Sequence, residues 1–241
     1  MNERDEAAGG AALAPFEERN RRIIPEKVIA RQSAPDVLTR MTSWPFVSRV
    51  RETPEQAMKL IAGVRLADVV YRPFTVNEDA RGGFTEVFCD SWGLPITPAQ
   101  WSVVTSHPRV LRGMHLHLRH HEAITVIQGR ALVGLYDLRE TSATSRQFMF
   151  LGLDGDSPGC LAFPPGILHG WYFPMKALHL QSVSESWADY RIDDNWGCTF
   201  NDPELGIPWP DPSPILSKGA AEYPSLRALC ARMAGGPPIV K

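Results

Sequence analysis

Gly113-Met114-His115-Leu116-His117-Leu118-Arg119-His120-His121-Glu122 is the stretch on which both fold and chemistry turn. Side chains two apart on a strand share a face, so His115 and His117 are expected to point the same way. Glu122 comes five residues after His117 and opens the apolar run Ala123-Ile124-Thr125-Val126-Ile127, where a tight turn brings it back towards the histidines. A further histidine, His169, follows the turn signal Phe163-Pro164-Pro165-Gly166. All seven histidines of the 241-residue chain fall between His107 and His179, which concentrates the polar chemistry in its middle.

Outward from this stretch the chain reads as short strands. Val69-Val70-Tyr71, Trp101-Ser102-Val103-Val104-Thr105, Ala131-Leu132-Val133-Gly134-Leu135-Tyr136 and Gln147-Phe148-Met149-Phe150-Leu151 join the run at 123–127. They are rich in β-branched and aromatic residues, with Gly, Pro, Asp and Ser clusters between them. Gln128-Gly129-Arg130 sits between two such runs as a hairpin turn would. Many short strands with hardly a helical pattern predict a mainly β fold, a sandwich or jelly-roll barrel with a few short helices. Thr53-Pro54-Glu55-Gln56 resembles a helix start, with Thr53 as N-cap and Pro54 at the first helical position. Ala57-Met58-Lys59-Leu60-Ile61-Ala62 continues it, and Gly63 is placed to end it. A second short helix is expected over residues 224–234, and the four prolines of residues 208–214 predict an extended loop along the surface. The expected organisation is a disordered start over 1–20, an extension with a short helix over 21–65, and a barrel with a C-terminal tail over 66–241.

Composition narrows the function classes. At 44% hydrophobic and 22% charged, with a net charge of −2, the chain has no basic excess for nucleic acid. No apolar run reaches the length of a membrane span, and residues 1–22 lack the apolar core of a signal peptide. Cys89, Cys160, Cys198 and Cys230 are far apart and form no CxxC pair, so they read as thiols in a reducing compartment, the cytoplasm. His120 and His121, beside Arg119, read as a solvated loop. His107 and His179 carry no partner spacing and read as surface or structural residues.

The spacing of His115, His117, Glu122 and His169 matches the metal motifs of cupins, which are jelly-roll barrels. Three imidazoles and a carboxylate suit Fe, Mn, Ni or Zn, with positions left open for water or substrate. The alternative is a polar barrel interior that binds its ligand without metal.

A second resemblance covers about residues 66–230. Asp79-Ala80-Arg81-Gly82-Gly83-Phe84-Thr85-Glu86, Val110-Leu111-Arg112-Gly113-Met114-His115, Pro165-Gly166-Ile167-Leu168-His169-Gly170-Trp171 and Asn201-Asp202-Pro203-Glu204-Leu205-Gly206-Ile207-Pro208-Trp209-Pro210 occur in this order. Together they resemble the dTDP-4-dehydrorhamnose 3,5-epimerase family, itself a cupin-fold group. The resemblance implies a homodimer whose barrels each bind a nucleotide-diphosphate sugar, with no cofactor required. It makes His115 the base that removes the proton beside a 4-keto group, and Asp202 the carboxylate that orients it. It places Arg81, Phe84, Glu86, Gln100, Arg112 and His169 against the phosphates or the nucleotide. The chemistry is apt, since a neutral imidazole is a base near pH 7 and guanidinium forks bind diphosphate.

Departures from the pattern are as informative. Glu122 stands where the family has a lysine that stabilises the enolate, and Gln181 stands where it has a proton-donating tyrosine. Gln donates no proton as an acid does, although Tyr172 and Tyr190 are candidates to substitute. Ser102 and Leu116 replace an Asn and an aromatic. These losses leave three expectations: an epimerase of a dTDP-4-keto-6-deoxy sugar acting at C3, with or without C5; a metal-dependent isomerase or oxygenase on the same scaffold; or a nucleotide-sugar-binding protein without catalysis. A metal on His115 would withdraw it from duty as a base, so its two roles compete.

Overall fold

Every apolar run between residues 100 and 183 becomes a strand, and the turns between them carry the Gly, Pro and Asp clusters. The computed structural model describes residues 47–49, 58–190 and 194–235. In chain order the strands are β1 (Val47–Arg49), β2 (Lys59–Gly63), β3 (Val70–Pro73), β4 (Val76–Asp79), β5 (Gly82–Thr85), β6 (Gln100–Ser106) and β7 (Val110–Leu116). Then come β8 (Glu122–Gln128), β9 (Arg130–Asp137), β10 (Phe148–Asp154), β11 (Gly159–Phe163), β12 (Ile167–Phe173), β13 (Ala177–Val183) and β14 (Trp196–Gly197). Among the described residues three short α-helices follow β13: α1 (Trp187–Tyr190), α2 (Lys218–Ala221) and α3 (Leu226–Gly235), the last where residues 224–234 predict one.

Two antiparallel sheets make a jelly roll. One has the order β14-β7-β12-β9-β10-β2, the other β3-β11-β8-β13-β6. Ile124, Val126, Leu161 and Phe163 of the five-stranded sheet join Val133, Leu135, Leu151 and Trp171 of the six-stranded sheet in one buried core. The six-stranded sheet is covered on its other face as well. There Leu168, Tyr136 and Tyr172 lie with Phe200, Leu205, Leu226 and Leu229 of the C-terminal segment. Burial on both faces explains why β12, Ile-Leu-His-Gly-Trp-Tyr-Phe, is buried throughout and shows no polar alternation. Edge strand β6 behaves oppositely: Trp101 and Val103 point outward, 42% and 70% exposed. A separate three-stranded sheet, β1-β4-β5, carries the hairpin with Arg81 at its turn.

Two expectations fail. The continuation Lys59-Leu60-Ile61-Ala62 is not helical but forms β2, which pairs antiparallel with β10 along the sheet edge. Six-stranded pairing satisfies this backbone better than a short isolated turn of helix, and tertiary context overrides the local signal. The proposed start of that helix at residues 53–57, and the expected disorder of 1–20, lie outside the described residues. Gln128-Gly129-Arg130 is also no hairpin. β8 pairs with β11 and β13, whereas β9 pairs with β10 and β12, so the chain crosses here from one sheet to the other. Gly129 has φ +79° at the crossing, and a Cβ there would lie 2.4 Å from the Lys176 carbonyl oxygen. Only glycine meets both demands.

Residues 206–214 hold no helix or strand, as their prolines predict, yet they are packed rather than loose. Trp209 stands edge-on to Phe150, with ring centroids 5.3 Å apart, and lies over Gly134 in mid-strand. A Cβ on Gly134 would come within 2.6 Å of the Trp209 ring. Gly134→Ala is therefore expected to displace that ring and cost about 1–3 kcal/mol in urea denaturation.

His179 is structural, as its lack of partner spacing suggests. Its ring is fully buried and stacks on Phe173 at 5.2 Å and 17°. Burial, and then the charge of Arg112, push its pKa down to about 4, with Glu122 acting in the opposite direction. The unfolded imidazole takes its proton near pH 6.5 and the folded one only near 4. Between those values the unfolded state binds more protons, so stability falls as pH falls. His179→Leu should remove roughly 3 kcal/mol of the acid-induced loss, read as a smaller gap between urea midpoints at neutral pH and near pH 4.

Candidate active site

The two sheets bring their polar residues to one place in the barrel. Antiparallel pairing of β7 with β12 sets His115 opposite His169, and His117 lies just past the end of β7. Glu122 is the first residue of β8 in the facing sheet, and Gln181 on β13 donates a hydrogen bond to its Oε1. Glu122 Oε2 lies 2.9 Å from His169 Nε2 and 3.6 Å from His117 Nε2. All three side chains are buried, Glu122 to 1% exposure.

Hydrogen bonds fix the tautomers of both imidazoles. His117 Nδ1 lies 2.6 Å from the Asp194 carbonyl oxygen, and His169 Nδ1 lies 3.0 Å from that of Ile167. A carbonyl only accepts, so each Nδ1 carries a proton and each Nε2 is the nitrogen that faces Glu122. Burial by itself would push the Glu122 carboxyl up, but the imidazoles of His169, His117 and His115 hold it down at about 2. Burial lowers His117 to about 4, against the pull of Glu122.

His115 is half-buried and stands at the side of this group. Its ring meets those of His169 and Tyr223 edge-on, at 6.0 Å and 5.9 Å between centroids. Burial first, then the neighbouring His169, lower its pKa to about 3, with Glu122 opposing. It is therefore a neutral imidazole with an available lone pair at physiological pH.

Of the four residues whose spacing suggests a metal, three converge. The ligand atoms of His117, Glu122 and His169 all lie within 4.8 Å of one another, and among the described residues no such group includes His115. A second group joins His117 to His120 and Asp194. This corrects the reading of His120, which is not on a solvated loop but 1% exposed. Its ring packs between His117 at 4.2 Å and Tyr190 at 4.4 Å, with Nδ1 3.1 Å from Asp194 Oδ2.

The residues implied for substrate are spread more widely. Arg112 is half-buried on β7, and its guanidinium donates to Ser106 Oγ and the Thr105 carbonyl at 3.0 Å each. Gln100 begins β6 and accepts from the backbone N–H of Trp187 at 2.9 Å. Arg81 pairs with Asp79 at 2.6 Å on the β4–β5 hairpin, where Phe84 and Glu86 are exposed. These three sit on that hairpin rather than among the histidines. Asp202 makes no hydrogen bond to His115. Its carboxylate accepts from the backbone N–H groups of Glu204 at 3.0 Å and Leu226 at 2.8 Å. Of the tyrosines considered as proton donors, Tyr172 faces the C-terminal segment, 3.4 Å from Asp211, whereas Tyr190 lies 5.8 Å from the His117 ring.

Asp194 and Tyr223 escape the motif reading. Asp194 follows another aspartate in an unremarkable acidic pair, and Tyr223 belongs to the C-terminal segment. Only the fold places Asp194 beside His117, 77 positions earlier, and Tyr223 beside His115, 108 positions earlier.

Comparison with known proteins identifies the family. The family model described as dTDP-4-dehydrorhamnose 3,5-epimerase matches residues 63–228. The chain is 29% identical over 138 residues to the spore coat polysaccharide biosynthesis protein SpsL of Bacillus subtilis, covering 52% of this chain and 91% of that protein. It is 29% identical over 163 residues to the dTDP-4-dehydrorhamnose 3,5-epimerase of Pseudomonas aeruginosa, covering 64% and 88%. The crystal structure of the Bacillus anthracis dTDP-4-dehydrorhamnose 3,5-epimerase, with TDP and PPi bound, superposes with a TM-score of 0.57 at 30% identity, covering 75% of this chain and all of that one. The matched region contains β7, β8, β12 and the 203–205 turn, hence every strand that builds the His115 neighbourhood; this chain belongs to the dTDP-4-dehydrorhamnose 3,5-epimerase family, whose members are sugar-nucleotide isomerases.

Proposed function

We propose that this chain epimerises a dTDP-4-keto-6-deoxy sugar at C3, with or without C5, using His115 as the base. The observation that carries the reading is the half-buried position of His115 on β7, opposite His169 and against the Tyr223 ring, within the region matched to the family. Its imidazole takes the proton from the carbon beside the ketone, and the bonding pair moves into an enolate. Epimerisation needs a proton returned to the opposite face. Tyr190 is the donor we assign, because its ring lies beside His117 and His120 and burial raises its phenol pKa, keeping the proton on it. A tyrosine at Gln181 would otherwise supply it, and that residue is engaged with Glu122.

Asp202 acts as a positioning residue. By holding the Leu226 N–H it ties the 203–205 turn to the segment whose Tyr223 ring rests against His115. Arg112 is suited to the diphosphate, Gln100 to its rim, and the solvent-exposed Arg81, Phe84 and Glu86 to the nucleotide. The buried His169, whose two ring nitrogens face the Ile167 carbonyl and Glu122, is not placed to meet the phosphates. The TDP bound by the Bacillus anthracis protein supports the same ligand class here. The low basicity that burial gives His115 is offset when an anionic diphosphate enters, since nearby negative charge favours the imidazolium.

A homodimer is the assembly we infer, supported by the outward Trp101 and Val103 of edge strand β6. No helix among the described residues is long and apolar enough to cross a membrane. The cysteines, all present as free thiols, support the cytoplasm as the compartment.

Incubation with dTDP-4-keto-6-deoxyglucose in D2O is expected to place deuterium at C3, and His115→Asn to slow that exchange by about 100-fold or more. Tyr190→Phe should keep exchange while lowering the epimerised product by at least about tenfold. Binding of dTDP with no deuterium at C3 or C5 would overturn the reading in favour of a nucleotide-sugar-binding protein.

A further inference from the structure

We propose that His117, Glu122 and His169 form a binding site for a divalent first-row transition ion, and that His115 stands beside it without being a ligand. The site is new relative to the family reading, which requires no cofactor.

Polar bookkeeping leads to it. His117 and His169 each donate an Nδ1 proton to a backbone carbonyl, so the neutral form of each ring offers its Nε2 lone pair inward. Glu122 Oε2 faces the same point. Three such atoms thus converge in a buried space, where His169 Nε2 and Glu122 Oε2 stand 2.9 Å apart without an aligned hydrogen bond to each other or to another described residue. Buried polar atoms are almost always satisfied, and a buried carboxylate needs a cation. One ion satisfies all three acceptors together.

The distances have the right size. Metal bonds of about 2.1 Å put neighbouring ligand atoms about 3.0–3.5 Å apart in octahedral or tetrahedral order. Glu122 Oε2 is 2.9 Å from one Nε2 and 3.6 Å from the other. The surroundings are those of a metal site too. Both imidazoles are oriented through Nδ1 by carbonyls, and Gln181 holds the other carboxylate oxygen. Two imidazoles and one carboxylate suit Fe(II), Mn, Co, Ni or Zn and disfavour Mg or Ca, which take oxygen ligands. The neighbouring group of His117, His120 and Asp194 does not compete. The Asp194 carboxylate already accepts from the N–H groups of Leu118 and Arg119, and the carbonyl of Asp194 already takes the His117 Nδ1 proton.

His115 keeps its lone pair in this arrangement, so base and metal site coexist. When bound, the ion supplies Lewis-acid charge beside His115, at the position where glutamate replaces a lysine. That catalytic bearing rests on the proposed epimerase function; the site itself does not.

The competing account is an ion pair in which His169 carries protons on both nitrogens. Full-length protein stripped with a chelator and titrated with Co2+ separates the two. A metal site gives stoichiometric binding, visible d–d absorption and a higher Tm. Glu122→Gln and His117→Gln should each weaken Co2+ by more than about tenfold, while His115→Asn changes affinity by less than about threefold. Folded wild-type protein that binds no Co2+ overturns the proposal, as does loss of binding in His115→Asn with retention in Glu122→Gln. Wild-type titration stands even if a variant fails to fold. Deuterium exchange without Co2+ binding would sink the metal site and leave the base intact. Co2+ binding without exchange would do the reverse.

Discussion

A carboxylate buried between two sheets is the constraint around which the centre of this barrel is organised. Glu122 opens β8, and every close neighbour of its side chain comes from elsewhere in the chain: His117 after β7, His169 on β12, Gln181 on β13. Removing such a charge from water costs several kcal/mol unless something opposite in sign or rich in donors meets it. The register of β7 on β12 and the backbone bonds that turn both imidazoles inward are arranged about that one anion.

The same charge separates this chain from a simple reading of its family. A base that removes a proton beside a ketone needs an electrophile to receive the electron pair, and a glutamate at that position is the wrong sign. His115 lies outside the ring of atoms around Glu122, so the chain has room to keep a base and to change its electrophile independently. The competition between proton and metal for His115, inescapable while only spacing is considered, does not arise in the arrangement we propose, where the ion sits on His117, Glu122 and His169.

Much of this was legible in the order of residues. Alternation across His115 and His117, the β-rich runs and the Pro-Gly turn before His169 carry the barrel and most of the cluster, because strand periodicity and turn chemistry are local properties. What failed depended on long-range pairing. Lys59-Leu60-Ile61-Ala62 has a helical face until β10 offers it an edge. Gly129 suits a hairpin or a crossing equally, and only the partners of β8 and β9 decide which. His120 looks like a surface residue among charged neighbours until Tyr190 and Asp194 close over it. Asp202 sits in its motif, but its carboxylate is taken by two backbone N–H groups that no spacing reveals.

The covering of the six-stranded sheet by the C-terminal segment has a further consequence. That segment seals a hydrophobic face, and through Tyr223 it also rests against the His115 ring. Structural support and chemistry are therefore joined in one stretch of chain. A change that loosened Leu226 or Leu229 from the sheet would be felt at His115 as well as in the core, through the Tyr223 ring.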